Sequence, residues 1–574
     1  MSKRDGACDA MTFQEMTYER PDFDQLKAAF DAGLAEFNAA ATAEAQNAAL
    51  KRLIDLREHF DSMYQLVYIR HSVNTKDEFY AAEQDYFDET MPKYQALVAD
   101  LYKAMLASRF RQELEVKWGS QLFALAECTV RSFSPEIVAD LQEENKRVSD
   151  YVKLIASAEI PFEGETRTLP QLQPFELSPD RDMRKRAADA RWSFFAEHED
   201  TIDQIYSDLV AIRTRMARKL GFSNYAEMSY LLMNRTDYNA DMVAAFRKQV
   251  REVLVPVATR LREKQRRRIG VDTLRYYDDG FMFKSGNATP KGDPQWIVEN
   301  GRRMYEALSP ETAEFFHFMQ ENQLLDLVSK PGKASGGYCT YIPEFKSPFI
   351  FSNFNGTAGD IDVLTHEAGH AFQVYLSRGY EVPEYHFPTY EACEIHSMSM
   401  EFFTWPWMQQ FFQDETEKYH YAHLTDAVFF IPYGVAVDEF QHIVYQNPDM
   451  TPAERKQVWR DLEKVYLPHR NYEGNAFLER GGYWFRQQHI FTSPFYYIDY
   501  TLAQICALQF WKKMHEDRDS AWADYLRLCK LGGSQSFLRL VEEARLVSPF
   551  DEGCVASVVG HIEQWLNQVD DARL

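Results

Sequence analysis

The chain has 574 residues, of which 45% are hydrophobic and 14% aromatic, and carries a formal net charge of −24. That length exceeds what one small core organises, so two or three lobes or one large lobed fold are expected, with ample apolar material to fill them. The acidic balance excludes nucleic acid and anionic membrane surfaces as natural partners, because both require a basic field.

Met1–Leu34 is polar and acidic without an apolar stretch, which is not the pattern of a secretory leader. From Phe23 to Tyr102, apolar residues recur at three- and four-residue spacing with charges opposite, predicting successive amphipathic helices. No fixed-period repeat runs through them, so a solenoid is not indicated. Between Glu159 and Asp182, prolines and alternating apolar residues predict a short hairpin or extended passage. Ser178-Pro179 then reads as a helix start, and a lobe boundary is placed near residue 185, dividing the chain into 1–185 and 186–574.

Helices resume through Gly221. The basic run Arg260–Arg268 reads as a solvated helix face on an acidic protein, Lys284–Pro294 as a turn-rich insert, and Ser309-Pro310 as another helix start. After Val328 the character changes. Glycines, prolines and short β-branched or aromatic runs predict one or more strands, and the chain returns to helix afterwards. The longest apolar run, Ala427–Val437, contains Pro432 and Gly434 and falls far short of a bilayer span. Cys8, Cys128, Cys339, Cys393, Cys506, Cys529 and Cys554 are odd in number, scattered and without a CxxC, which fits reduced thiols in a cytoplasm.

The sequence IDVLTHEAGHAFQVY, residues 361–375, carries the strongest chemical signal. Asp360 or Asp362 reads as the helix start and Gly379 as its stop, giving a helix over about 360–378. At roughly 100° per residue His366 and His370 lie about 40° apart with Glu367 beside them, so all three project from one side. Two imidazoles at this spacing can share one divalent cation, with the glutamate next to an open coordination position. A third ligand is expected from TYEACEIHSMSMEFF, a second helix over about 389–403. Glu394, Ser397 and Glu401 share one face of it, and Glu391 shares that face too, so spacing alone does not choose between Glu391 and Glu394. Glu401 or Asp362 can accept the other N–H of a ligating imidazole. His386 and His396 are expected in the core or at the surface rather than on the metal.

These two motifs together resemble the zinc oligopeptidase family that contains thimet oligopeptidase and oligoendopeptidase F, above all its bacterial oligoendopeptidase F-like branch. The family's glutamate, serine and glutamate at zero, three and seven match Glu394, Ser397 and Glu401, so the resemblance makes Glu394 the third ligand beside His366 and His370, with one Zn²⁺ per chain. Distant members have a proline where this chain has His396. A further match is HIFTSPFYYIDYTLAQICALQFW from His489 to Trp511, and a weaker one is GFSNYAEMSYLLMNR from Gly221 to Arg235. For His489, Tyr496, Tyr497 and Tyr500 the resemblance implies hydrogen-bond donors to a developing oxyanion, with Tyr497 and Tyr500 the preferred pair.

The resemblance further implies a mainly α, large lobed helical fold with a deep substrate channel and a small β-sheet next to the histidine helix. Glu367, placed beside the open position, is expected to act as general base, and the resemblance adds the restriction to short unfolded peptides, implying an oligoendopeptidase with residues 186–574 as the catalytic region. A strand edge within Ser335–Asn355 can pair with an extended peptide, with Gly336, Gly337 and Tyr338 as substrate-binding residues. A related exopeptidase and a helical scaffold with structural zinc are the alternatives. A soluble cytoplasmic protein, a monomer or small homo-oligomer, is expected.

Overall fold

The computed structural model describes residues 11–574 apart from 329, 331, 335 and 355, so the expectations placed on Cys8, Ser335 and Asn355 lie outside the described residues. The fold is mainly helical with five short strands among the described residues. Contacts group the chain into two compact units that interleave along the sequence. One holds the described residues up to Val130 together with Thr289–Thr416 and Lys513–Arg545. The other holds Arg131–Ala288, Glu417–Lys512 and Leu546–Leu574. Residue 185, where a lobe change is expected, lies inside the helix Arg181–Glu197 of the second unit.

The expected hairpin is present in the second unit. Strands β1 (Ile160–Phe162) and β2 (Glu165–Arg167) pair antiparallel. Glu163 and Gly164 both take positive φ, 50° and 77°, the geometry that matches a two-residue turn to the strand twist. The next long helix does not start at Ser178-Pro179. Asp180 caps it, accepting from the Asp182 amide at 3.0 Å, while Ser178 Oγ accepts from the Asp180 amide at 3.2 Å. A carboxylate two residues on thus takes the capping role, and the serine is spent on a local turn. At Ser309-Pro310 the reading holds, with Ser309 Oγ accepting from the Thr312 amide at 3.0 Å.

The basic run is only partly a solvated face. Arg260 pairs at the surface with Glu563, but Arg262 packs 3.6 Å over the Phe429 ring and Arg268 is buried against Asp571. Helical period puts these two arginines on the inward side, where an aromatic face and a carboxylate receive them. The second unit's core is rich in rings, including Tyr206 against Trp484 at 4.9 Å and Tyr151 stacked on Phe491 at 3.9 Å.

In the first unit, Phe30, Phe37, Leu53, Leu101 and Trp118 of the N-terminal helices pack into one cluster with Val382 and Tyr385. The remaining strands form a three-stranded sheet in the order β3 (Leu325–Val328), β5 (Ser347–Phe354), β4 (Tyr338–Ile342). Central β5 runs parallel to β3 and antiparallel to β4, with Tyr338 opposite Phe351 and Ile342 opposite Ser347. Its near-continuous apolar sequence, SPFIFSNF, suits a strand covered on both faces. β4 is an edge strand. Both β4 and β5 pack on the histidine helix, so the small sheet lies where the resemblance puts it.

No described helix is long and apolar enough to cross a membrane. The six described cysteines are free thiols.

Candidate metal centre

The histidine helix spans Gly359–Ser377, one residue ahead of Asp360. Asp360 and Asp362 are therefore first-turn acids that favour the helix dipole rather than caps, and Asp360 Oδ2 accepts from the Gly356 amide at 2.7 Å. Gly379 follows the C-cap Arg378 but does not take positive φ. The second helix spans Tyr390–Phe403.

Gly369, inside the histidine motif, explains how closely the two helices approach. A Cβ there would lie 2.7 Å from the His396 carbonyl oxygen, 2.8 Å from Ser397 Cα and 3.0 Å from Met400 Cβ. Glycine mid-helix costs about 0.5–1 kcal/mol in propensity; here it lets one backbone rest on another and brings Glu394 within reach of both imidazoles.

Glu394 Oε2 lies 3.3 Å from His366 Nε2 and 3.5 Å from His370 Nε2, and the three ligand atoms fall within 4.8 Å of one another. Atoms bound tetrahedrally at about 2.0–2.1 Å from a common ion would stand roughly 3.3 Å apart, so the donor set fits a zinc-sized cation. Ser397 Oγ donates to the same Glu394 oxygen at 2.8 Å, which gives the three-residue spacing a structural reason. On its other side His366 Nδ1 meets Glu401 Oε2 at 3.1 Å, directing Nε2 toward Glu394. Asp362 lies beside Glu401, within 4.8 Å. Glu391 is buried and accepts from Thr389 Oγ1 at 2.9 Å, outside the convergent trio.

Burial opposes charge on His366, but its hydrogen bonds to Glu394 and Glu401 hold its pKa well above the usual value. Burial raises Glu394, and the paired His370 and His366 override that and pull it well below the ordinary carboxylate range. An anionic carboxylate thus faces a histidine that favours its protonated form, and a divalent cation bound there would take the place of that proton.

Glu367, next to His366 in the histidine helix, is buried. The position of a Cβ on Gly337 would lie 3.9 Å from Glu367 Oε1 and 3.3 Å from the Phe351 carbonyl, so the strand backbone passes close to this carboxylate. Gly336 takes φ of 89° with open space around it. Tyr338 stacks on Phe351 at 4.6 Å and meets Tyr68 at 5.1 Å. His396 and His386 are core residues. Burial pushes His396 down to about 3 and lowers His386, whose Nε2 lies 2.9 Å from the Tyr380 carbonyl.

The structure also gathers His489, Tyr496, Tyr497 and Tyr500 into one cluster within the second unit. The His489 ring lies 6.1, 5.0 and 5.8 Å from those of Tyr496, Tyr497 and Tyr500. Two buried residues that motif reading does not single out hold the turn between His489 and the tyrosines. Arg235 donates to the Phe495 carbonyl and to Asp499 Oδ1 at 2.9 Å, and Gln441 Oε1 accepts from the Phe495 amide at 2.9 Å. Arg235 ends the weaker matching segment, which was the available signal. Gln441 had none.

Residues 175–288 and 312–559 match peptidase family M3, and residues 13–133 match the peptidase M3 N-terminal domain. Among solved structures, PZ peptidase A with inhibitor 2 superposes with a TM-score of 0.92 at 62% identity, over 98% of this chain and 100% of that one. A Bacillus anthracis str. Ames protein, provisionally named an oligoendopeptidase F, superposes with a TM-score of 0.88 at 56% identity and the same coverage. An oligoendopeptidase F homolog of Borreliella burgdorferi is 24% identical over 394 residues, 65% of this chain and 62% of that relative's length.

Proposed function

Since the chain belongs to peptidase family M3, we propose that it is a zinc-dependent oligoendopeptidase that cuts internal bonds of short, unfolded peptides. The observation that carries this is the convergence of His366, His370 and Glu394, with the buried Glu367 next to His366 in the histidine helix. His366, His370 and Glu394 would hold the ion. When bound, zinc supplies Lewis acidity and lowers the pKa of a water toward about 7. Glu367 accepts the proton released as water attacks the carbonyl and delivers it to the departing amine. Glu401 keeps His366 Nδ1 engaged, so the ring presents Nε2. Ser397 steadies the Glu394 carboxylate.

Edge strand β4 offers main-chain groups to an extended peptide, with Gly336, Gly337 and Tyr338 at its entry, and such pairing is largely indifferent to side-chain identity. His489 with Tyr497, Tyr500 and Tyr496 is assigned the donor role toward the developing oxyanion. The restriction to oligopeptides follows the relatives' names, and a cytoplasmic setting follows from the scattered free thiols.

Cleavage of an internally quenched peptide blocked at both ends tests this reading. Turnover is expected, is expected to vanish in chelator, and is expected to return with zinc. An intact blocked peptide, or cleavage indifferent to chelator, would refute it.

A further inference from the structure

We propose that Gln487 and Tyr433 are positioning residues that set the tautomer of His489, leaving Nδ1 as an acceptor and the ring proton on Nε2. This rests on the reading of His489 as an oxyanion donor, but it is testable without it. Gln487 Nε2 lies 2.8 Å from His489 Nδ1. An amide nitrogen carries two hydrogens and accepts none, so Nδ1 must receive the bond, and the proton of the neutral ring then lies on Nε2.

The amide orientation is itself held. Tyr433 Oη donates to Gln487 Oε1 at 2.7 Å, an ordinary O–H···O length. The Tyr433 ring is fixed edge-on against Trp459, Tyr483 and Tyr497, with centroids 6.0, 6.0 and 5.9 Å away. Burial, with the neighbouring Tyr497 and Tyr483 phenols adding to it, keeps Tyr433 protonated and therefore a donor. Burial also lowers the His489 pKa, so the imidazole is neutral near pH 7 and presents one N–H. A neutral ring with its proton on Nε2 can donate to an oxyanion. The opposite tautomer would offer a lone pair there and repel it.

Neither residue belongs to a motif. Gln487 precedes His489 by two positions, and Tyr433 comes from the distant helix Thr416–Gln446.

Side-chain ¹⁵N NMR of the full-length, zinc-loaded protein reads the tautomer directly, with His489→Asn identifying the signal. The expected result is a pyridine-like Nδ1 and a pyrrole-like Nε2. In Gln487→Glu the carboxylate only accepts, so the proton moves to Nδ1 and kcat falls about 100-fold. Tyr433→Phe releases the amide, mixes the tautomers and lowers kcat about tenfold with little change in KM. A pyrrole-like Nδ1 in the unmodified protein, or unchanged nitrogen shifts in Gln487→Glu, would overturn the proposal. The expected tautomer in a protein that cleaves no peptide would support it while removing the proposed function. Cleavage together with a protonated Nδ1 would do the reverse.

Discussion

The metal trio and the His489 cluster are assembled by different means. His366, His370 and Glu394 come from two helices close in sequence, Gly359–Ser377 and Tyr390–Phe403, and their directions follow from helical period once Gly369 lets the backbones touch. The His489 cluster straddles a turn whose backbone is held by Arg235, from the loop after the helix Tyr225–Leu232, and by Gln441 of the helix Thr416–Gln446, and its imidazole is held through Tyr433. A site written in local spacing tolerates change away from its helix contact. One held by distant buried polar groups depends on each of them. Substitutions in the two regions should therefore fail in different ways.

The largest effect is expected at the first region's chemistry. Glu367→Gln is predicted to lower kcat by about 10³–10⁴, with zinc content unchanged by metal analysis, since the amide cannot take a proton. Near-normal turnover would show that the general base lies elsewhere.

In the second region, Arg235→Met removes one half of an ion pair with Asp499 that is wholly buried on both sides. Stranding a buried carboxylate typically costs ~3–5 kcal/mol. Denaturant unfolding should show that loss, while zinc stoichiometry stays near one. Loss of zinc without loss of stability would invert the comparison.

A smaller effect is expected from Gly369→Ala. Overpacking of this kind costs about 1–3 kcal/mol, and the displaced helix should also weaken zinc binding in a chelator competition. Unchanged affinity would mean that the helices can separate without moving Glu394.

Legibility in the sequence follows the same division. The histidine helix, the second helix, the hairpin and the strands before the histidine motif are all visible as periods, glycines and turn residues within short windows. Spacing leaves Glu391 level with Glu394, because both share a helix face; the histidines of the partner helix distinguish them by converging on Glu394. Likewise, Asp180 outcompetes Ser178 as a cap, and Arg262 turns inward onto Phe429, because of neighbours that no local pattern announces. The interleaving of the two units is hidden for the same reason, since the chain's order says little about which segments share a core.

Zinc-edge X-ray absorption on the purified protein tests the central claim most directly. Two imidazole nitrogens with carboxylate and water oxygens at about 2.0–2.1 Å, and collapse of that shell in Glu394→Ala, are predicted. A sulfur shell from a nearby cysteine, or a spectrum indifferent to Glu394, would contradict the account.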